Sequence, residues 1–279
     1  MRRRDFFTAT AGAGVMADLA PAQQAGKTAR YKQGVTRGCF GKGVSLEDMC
    51  KTAVKLGFKG FDLIGPPDFP TLKKYGLAPS MVGGGSSIRD GINNQDLHDG
   101  IEKRMREAID ATAAAGAPNV IVMAGERMGR GDDVGIANSV AYLNRIKSYA
   151  EQKQITLCIE LLNSKVNHKD YHADRTWYGA EICKRVNSPR VKLLYDIYHM
   201  QIMEGDVIRT IRENIQWIGH FHTAGNPGRH EMDDTQELNY RGIARAIADL
   251  GYSGFVSHEY SPLKDPIKGL EEAYRLFDV

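Results

Sequence analysis

Short apolar runs alternate with longer segments of helical period from about Lys32 to the C-terminus. Gly34–Phe40, Gly60–Ile64, Leu77–Val82, Asn119–Ala124, Thr156–Glu160, Val191–Asp196, Trp217–His222 and Gly254–Glu259 read as buried strands, because each is brief, apolar and bounded by turn residues. Between them lie helical patterns. The first starts at Ser45, has apolar positions at Met49, Ala53, Val54 and Leu56, and stops at Gly57. Others are expected near Thr71 to Tyr75, Asn94 to Ala115, Asp133 to Lys153, Thr176 to Val186, Asp206 to Asn214, Asn239 to Leu250 and Ile267 to Phe277.

Strand-then-helix repetition implies an α/β fold with a parallel sheet. Eight such pairs, over residues 31–279, have the length and order of a single-domain (β/α)8 TIM barrel. An open doubly wound sheet is the alternative. It is disfavoured because no glycine-rich G-x-G-x-x-G turn opens the first helix. The loops Gly83–Ser87 and Asn163–Arg175 are the longest candidates for a lid, against the plainer reading of surface loops.

Polar residues stand at the carboxyl ends of the last four strands: Glu160, Asp196, His222 and Glu259. In a barrel those ends converge on one face, so three carboxylates and one imidazole would surround a single point. That donor set suits a hard or borderline divalent cation, with magnesium, manganese or cobalt as candidates, and lacks the thiolates of a structural zinc site. Glu160 and Glu259 come from different sides of the mouth, so they could also act as acid and base on a bound hydroxy-carbonyl compound or sugar. A proton returned to the neighbouring carbon isomerises such a substrate, and one returned to the same carbon epimerises it. His199, expected on the loop three residues beyond Asp196, and Arg229, in the loop after the His222 strand, are candidates for binding substrate oxygen atoms. His220 and His258 are expected to point away from the mouth, toward the helices.

Composition narrows the field only a little. A 279-residue chain with 42% hydrophobic and 25% charged residues is ordinary for a soluble globular protein. A net charge of +3, without a dense basic block, disfavours nucleic acid as a partner. No run is long enough to span a membrane, and a homo-oligomer is compatible with this size. Cys39, Cys50, Cys158 and Cys183 form no CxxC pair and read as buried free thiols, Cys39 and Cys158 within strands. Residues 1–30 differ from the rest: Arg2-Arg3-Arg4-Asp5-Phe6-Phe7, a small-residue stretch and Ala20-Pro21-Ala22 resemble a twin-arginine export leader, which implies a periplasmic or exported protein. A disordered basic tail on a cytoplasmic enzyme is the alternative.

The strings Ile159-Glu-Leu-Leu-Asn163, Asp196-Ile-Tyr-His199, Gly219-His-Phe-His222, Pro227-Gly-Arg-His-Glu231 and Glu259-Tyr-Ser-Pro262 resemble the xylose isomerase-like TIM barrels and, within them, the hydroxypyruvate isomerase family. The resemblance covers about residues 32 to 279. It implies interconversion of hydroxypyruvate and 2-hydroxy-3-oxopropanoate, with Glu160 and Glu259 on the positions of the family's two catalytic glutamates. Related ketose 3-epimerases carry a metal set matched by Glu160, Asp196, His222 and Glu259, with substrate contacts matched by His199 and Arg229. Many hydroxypyruvate isomerases have Gln where this chain has His222, so that position leans toward the epimerases. A metal-dependent sugar epimerase is therefore the second reading. A non-catalytic sugar-binding barrel is a third, and an endonuclease IV-type phosphodiesterase, which needs more strand-end histidines, is disfavoured.

Overall fold

The computed structural model describes residues 31–279, so the leader expected over residues 1–30 lies outside the described residues. Eight parallel strands close into a barrel in chain order: β1 (Lys32–Val35), β2 (Gly60–Ile64), β3 (Ala78–Val82), β4 (Asn119–Val122), β5 (Thr156–Glu160), β6 (Val191–Asp196), β7 (Ile218–Thr223) and β8 (Phe255–His258). Closure rests on β1 pairing with β8, with Lys32 to Val35 opposite Phe255 to His258. That pairing excludes the open doubly wound sheet.

The helices between the strands are α1 (Leu46–Leu56), α2 (Phe69–Lys74), α3 (His98–Ala114), α4 (Asp132–Lys153), α5 (Thr176–Val186), α6 (Ile197–Met203), α7 (Val207–Asn214), α8 (Tyr240–Asp249) and α9 (Pro266–Phe277). Local chemistry sets several of their ends. The Ser45 hydroxyl accepts the Asp48 amide to start α1, and Gly57, at φ 103°, ends it in a left-handed turn that side chains with a Cβ rarely adopt. Asn239 and Asp265 cap α8 and α9 in the same way as Ser45. The apolar faces of the helices and the outward residues of the strands form the main core, which includes Ile101, Leu143, Leu157, Ile182 and Ile247. Inside the barrel, Met81, Ile121, Cys158 and Leu194 make a separate small cluster.

Two expectations need correction here. The first strand ends at Val35, not Phe40; Arg37–Phe40 is a 3-10 turn, and Cys39 sits in it, donating to the His258 carbonyl. The segment after Asp196 is not a loop but α6, so His199 lies on a helix. All four cysteines are buried and free, as expected. Among the described residues no helix is long and apolar enough to cross a membrane.

Candidate active site

Glu160 closes β5, Asp196 closes β6, His222 is the penultimate residue of β7, and Glu259 follows β8 with its amide bonded to the Thr223 carbonyl at 2.9 Å. One ligand atom from each of these four residues lies within 4.8 Å of the others. The Nδ1 of His222 is 2.8 Å from Glu259 Oε2 and 3.4 Å from Glu160 Oε1. Glu160, Asp196 and His222 are buried, and Glu259 is partly exposed toward the mouth.

Charge so concentrated in a buried place perturbs every member. Burial raises the carboxyls of Glu160 and Asp196 above the usual range, because water no longer solvates the anion. Burial also pushes Glu259 up, but the His222 imidazole and the Arg229 guanidinium outweigh it and hold that carboxyl below its ordinary value. His222 moves the other way. Burial disfavours its charge, yet Glu259, Asp62 and Glu160 together raise it well above the ordinary imidazole value.

The donor set fits a divalent cation. Buried His222 Nδ1 lies 2.8 Å from Glu259 Oε2, which also faces Arg229 Nη2 at 2.9 Å, and this Nδ1 has no hydrogen-bonding partner among the described residues. A buried imidazole nitrogen without a hydrogen-bonding partner, aimed among carboxylates, is what a bound cation would satisfy in place of a proton, and three carboxylates with one imidazole match a hard or borderline metal.

His199 and Arg229 border this cluster. Asp196 does two jobs: Oδ1 accepts the His199 amide at 3.1 Å and so caps α6, while Oδ2 faces His199 Nε2 and Arg229 Nη2, each at 3.6 Å. The Asn163 side-chain carbonyl accepts the amides of Val166 and Asn167, which turns its NH2 group toward His199 Nδ1. His199 therefore carries its proton on Nε2 and presents a donor to the cluster; burial and the nearby Arg229 keep the ring well below its ordinary value, hence neutral. Arg229 adopts a left-handed backbone at φ 59°, pairs with Glu259 at 2.9 Å and lies over the Tyr198 ring at 5.6 Å. Beside Glu259 and Arg229 opens a cavity of about 250 Å³, walled also by Thr36, Arg37, Leu63 and Ser261. A larger cleft of about 700 Å³, along α9 by Asp233 and Lys268, touches none of the four clustered residues.

One sequence expectation fails in this region. His220 points into the barrel, not toward the helices, because residues two apart in a strand share a face and His222 already points inward. His258 does face the helices, against Phe58 and Phe277. Asp62 and Asn163 were not singled out by sequence. The signal for Asp62 was a lone charge inside the apolar run Gly60–Ile64.

The sequence profile of the xylose isomerase-like TIM barrels matches residues 50–278. The chain belongs to that family. Among xylose isomerase-like barrels, it is 33% identical over 180 residues to a human protein named as a hydroxypyruvate isomerase, a match covering 62% of this chain and 63% of that one. The chain thus spans less than two thirds of the human relative's length. It is 27% identical over 238 residues to the hydroxypyruvate isomerase of Escherichia coli K12, covering 78% of this chain and 88% of that one. A crystal structure of a family 2 AP endonuclease from Brucella melitensis superposes with a TM-score of 0.75 at 24% identity, covering 86% of this chain and 96% of that one. That likeness concerns the fold.

Proposed function

We propose that this chain is an isomerase of short hydroxy-carbonyl acids of the hydroxypyruvate type. The observation that carries the reading is the convergence of Glu160, Asp196, His222 and Glu259 within 4.8 Å, beside a cavity bordered by Arg229. Relatives named as hydroxypyruvate isomerases support the substrate class.

Glu160, Asp196, His222 and Glu259 would hold a divalent cation, with magnesium, manganese or cobalt the fitting choices. Such a cation supplies a Lewis acid that acidifies the C–H next to a carbonyl. The chain's own groups then divide the work. One of Glu160 and Glu259 removes the proton from the carbon bearing the hydroxyl, using its oxygen away from His222, the other delivers a proton to the neighbouring carbon, and the hydroxyl proton passes to the former carbonyl oxygen, so that the carbonyl and hydroxyl exchange places. His199 donates Nε2–H to a substrate oxygen, and Arg229 holds the carboxylate end.

A second reading, a ketose epimerase, is favoured by one feature: the imidazole of His222 completes a four-residue ligand set. Incubating hydroxypyruvate and a panel of ketohexoses with the protein in deuterated water, with and without manganese, tests both. Deuterium entering hydroxypyruvate together with formation of its aldehyde isomer supports the first reading. Label entering only a ketohexose, with inversion at one carbon, replaces it with the second. No exchange in any substrate overturns both.

A further inference from the structure

We propose that Asp62 is a positioning residue that orients His222, and that it does so by binding two imidazoles at a single oxygen. The proposal rests on the reading of the four-residue cluster as a cation site. Asp62 lies in β2, separated from β8 by β1 alone, and is buried with its side chain inside the barrel against His220 and His222. Its Oδ1 accepts the Ser80 hydroxyl. Its Oδ2 lies 2.5 Å from His220 Nε2 and 2.9 Å from His222 Nε2.

An ionised carboxylate only accepts hydrogen bonds, so both Nε2 atoms must carry the proton. The far side of His220 agrees with this assignment. Asn119 directs its NH2 group at the Ser80 carbonyl, 3.0 Å away, and at His220 Nδ1, 3.4 Å away, which makes Nδ1 an acceptor and leaves the ring proton on Nε2. With Nε2 of His222 committed to Asp62, its Nδ1 is the atom aimed between Glu160 and Glu259. A cation ligand needs that lone pair, and the hydrogen bond behind the ring fixes both the tautomer and the ring plane.

The same three residues are not a second cation site. Atoms bound to one cation at about 2.1 Å stand roughly 3 Å apart, whereas Asp62 Oδ2 and His220 Nε2 are only 2.5 Å apart, too close to share a cation and the right distance for a charge-assisted hydrogen bond. The barrel wall is also shaped around this arrangement. A Cβ on Gly60 would come within 2.5 Å of Ser80 Oγ and 2.7 Å of Ser80 Cβ, so glycine leaves Ser80 free to hold Asp62.

The test is a calorimetric titration of the intact protein with Mn²⁺, comparing the unmodified chain with Asp62→Asn and His222→Gln. Carboxylates behind a ligating histidine are worth about 10- to 100-fold in metal affinity, so Asp62→Asn should weaken Mn²⁺ binding by that factor, with turnover recovering as Mn²⁺ is raised to saturation. His222→Gln should weaken binding further. If the unmodified chain binds no Mn²⁺, the cation reading fails and takes this proposal with it. If the unmodified chain binds and Asp62→Asn binds equally well, the proposal alone fails. Should Asp62→Asn not fold, ¹⁵N spectra of the histidine rings in the Mg²⁺-loaded unmodified protein decide: a protonated Nε2 on His222 supports the proposal, and a bare Nε2 overturns it.

Discussion

The barrel interior has two unlike sides. Toward β3 to β6, Met81, Ile121, Cys158 and Leu194 pack as an apolar cluster. Toward β1, β2, β7 and β8, the space holds Asp62, His220 and Ser257, with glycine at positions 34 and 60 where a Cβ would collide with Ser257 or Ser80. Both sides are equally dry. They differ in what a residue must satisfy: on the apolar side shape alone, and on the polar side, for Asp62 and His220, shape plus hydrogen-bonding partners. The strand ends above inherit the difference, since His222, the imidazole of the four-residue cluster, belongs to the polar side and meets the His220 ring edge-on at 5.3 Å.

The largest expected effect separates chemistry from packing altogether. Glu160→Gln and Glu259→Gln are each expected to lower turnover about 10²- to 10⁴-fold, the worth of a positioned acid or base, with little change in thermal unfolding. Steady-state rates alongside melting curves check this, and a near-normal rate for either variant removes that glutamate from proton transfer.

The contrast between the two interior sides is sharpened by a pair of substitutions. Leu194→Ala on the apolar side should cost about 2–5 kcal/mol in urea unfolding while leaving Mn²⁺ affinity of the folded protein unchanged within a few-fold. Gly60→Ala on the polar side should cost about 1–3 kcal/mol through overpacking, and should weaken Mn²⁺ binding too by displacing Ser80 from Asp62. Equal metal affinity in the two variants would erase the distinction.

The smallest effect concerns the helix-facing side of β8. His258 sits between Thr223 Oγ1 at 2.7 Å and Gln33 Oε1 at 3.1 Å, and burial lowers its imidazole from 6.5 to about 3. The folded protein therefore keeps His258 neutral while the unfolded chain gains a proton below pH 6.5, so stability is lost as pH falls through that value. The slope is about 1.4 kcal/mol per pH unit. His258→Gln removes this contribution, so the stability gap between the unmodified chain and the variant should shrink by roughly 2 kcal/mol between pH 7.5 and pH 5. Urea titrations at the two values measure it, and an unchanged gap contradicts the assignment.

The barrel and its four clustered residues were legible because the segments of β5 to β8 share one grammar, a short strand-like run with a carboxylate or imidazole at its carboxyl end, although His220, Ser257 and His258 blur it in the last two. Other parts were hidden for definite physical reasons. Asp62 was obscured because it sits in mid-strand, with Leu63 and Ile64 still to come, so nothing marked it as reaching His222 inside the barrel. His220 was misplaced through the two-residue period of a strand, which puts it on the same face as His222. The helix α6 escaped notice because Ile197, Tyr198, His199, Met200 and Met203 are all buried, and a helix buried on most sides shows no amphipathic period. The extent of β1 was overread because Val35 is followed by a tight 3-10 turn whose Cys39 and Phe40 are as buried as strand residues.

Asp196 both ends β6 and caps α6, and this shared origin bears on precision. A site assembled from separate loops accumulates the positional error of each one independently. Here the side chain that offers Oδ2 to the cluster also grips the first turn of the helix carrying His199 and the Tyr198 ring beneath Arg229. Thermal displacement of that corner moves carboxylate, imidazole and aromatic ring in the same direction, so their mutual distances vary less than their absolute positions. Fluctuations that would blur a constellation of independent parts are converted into a common drift.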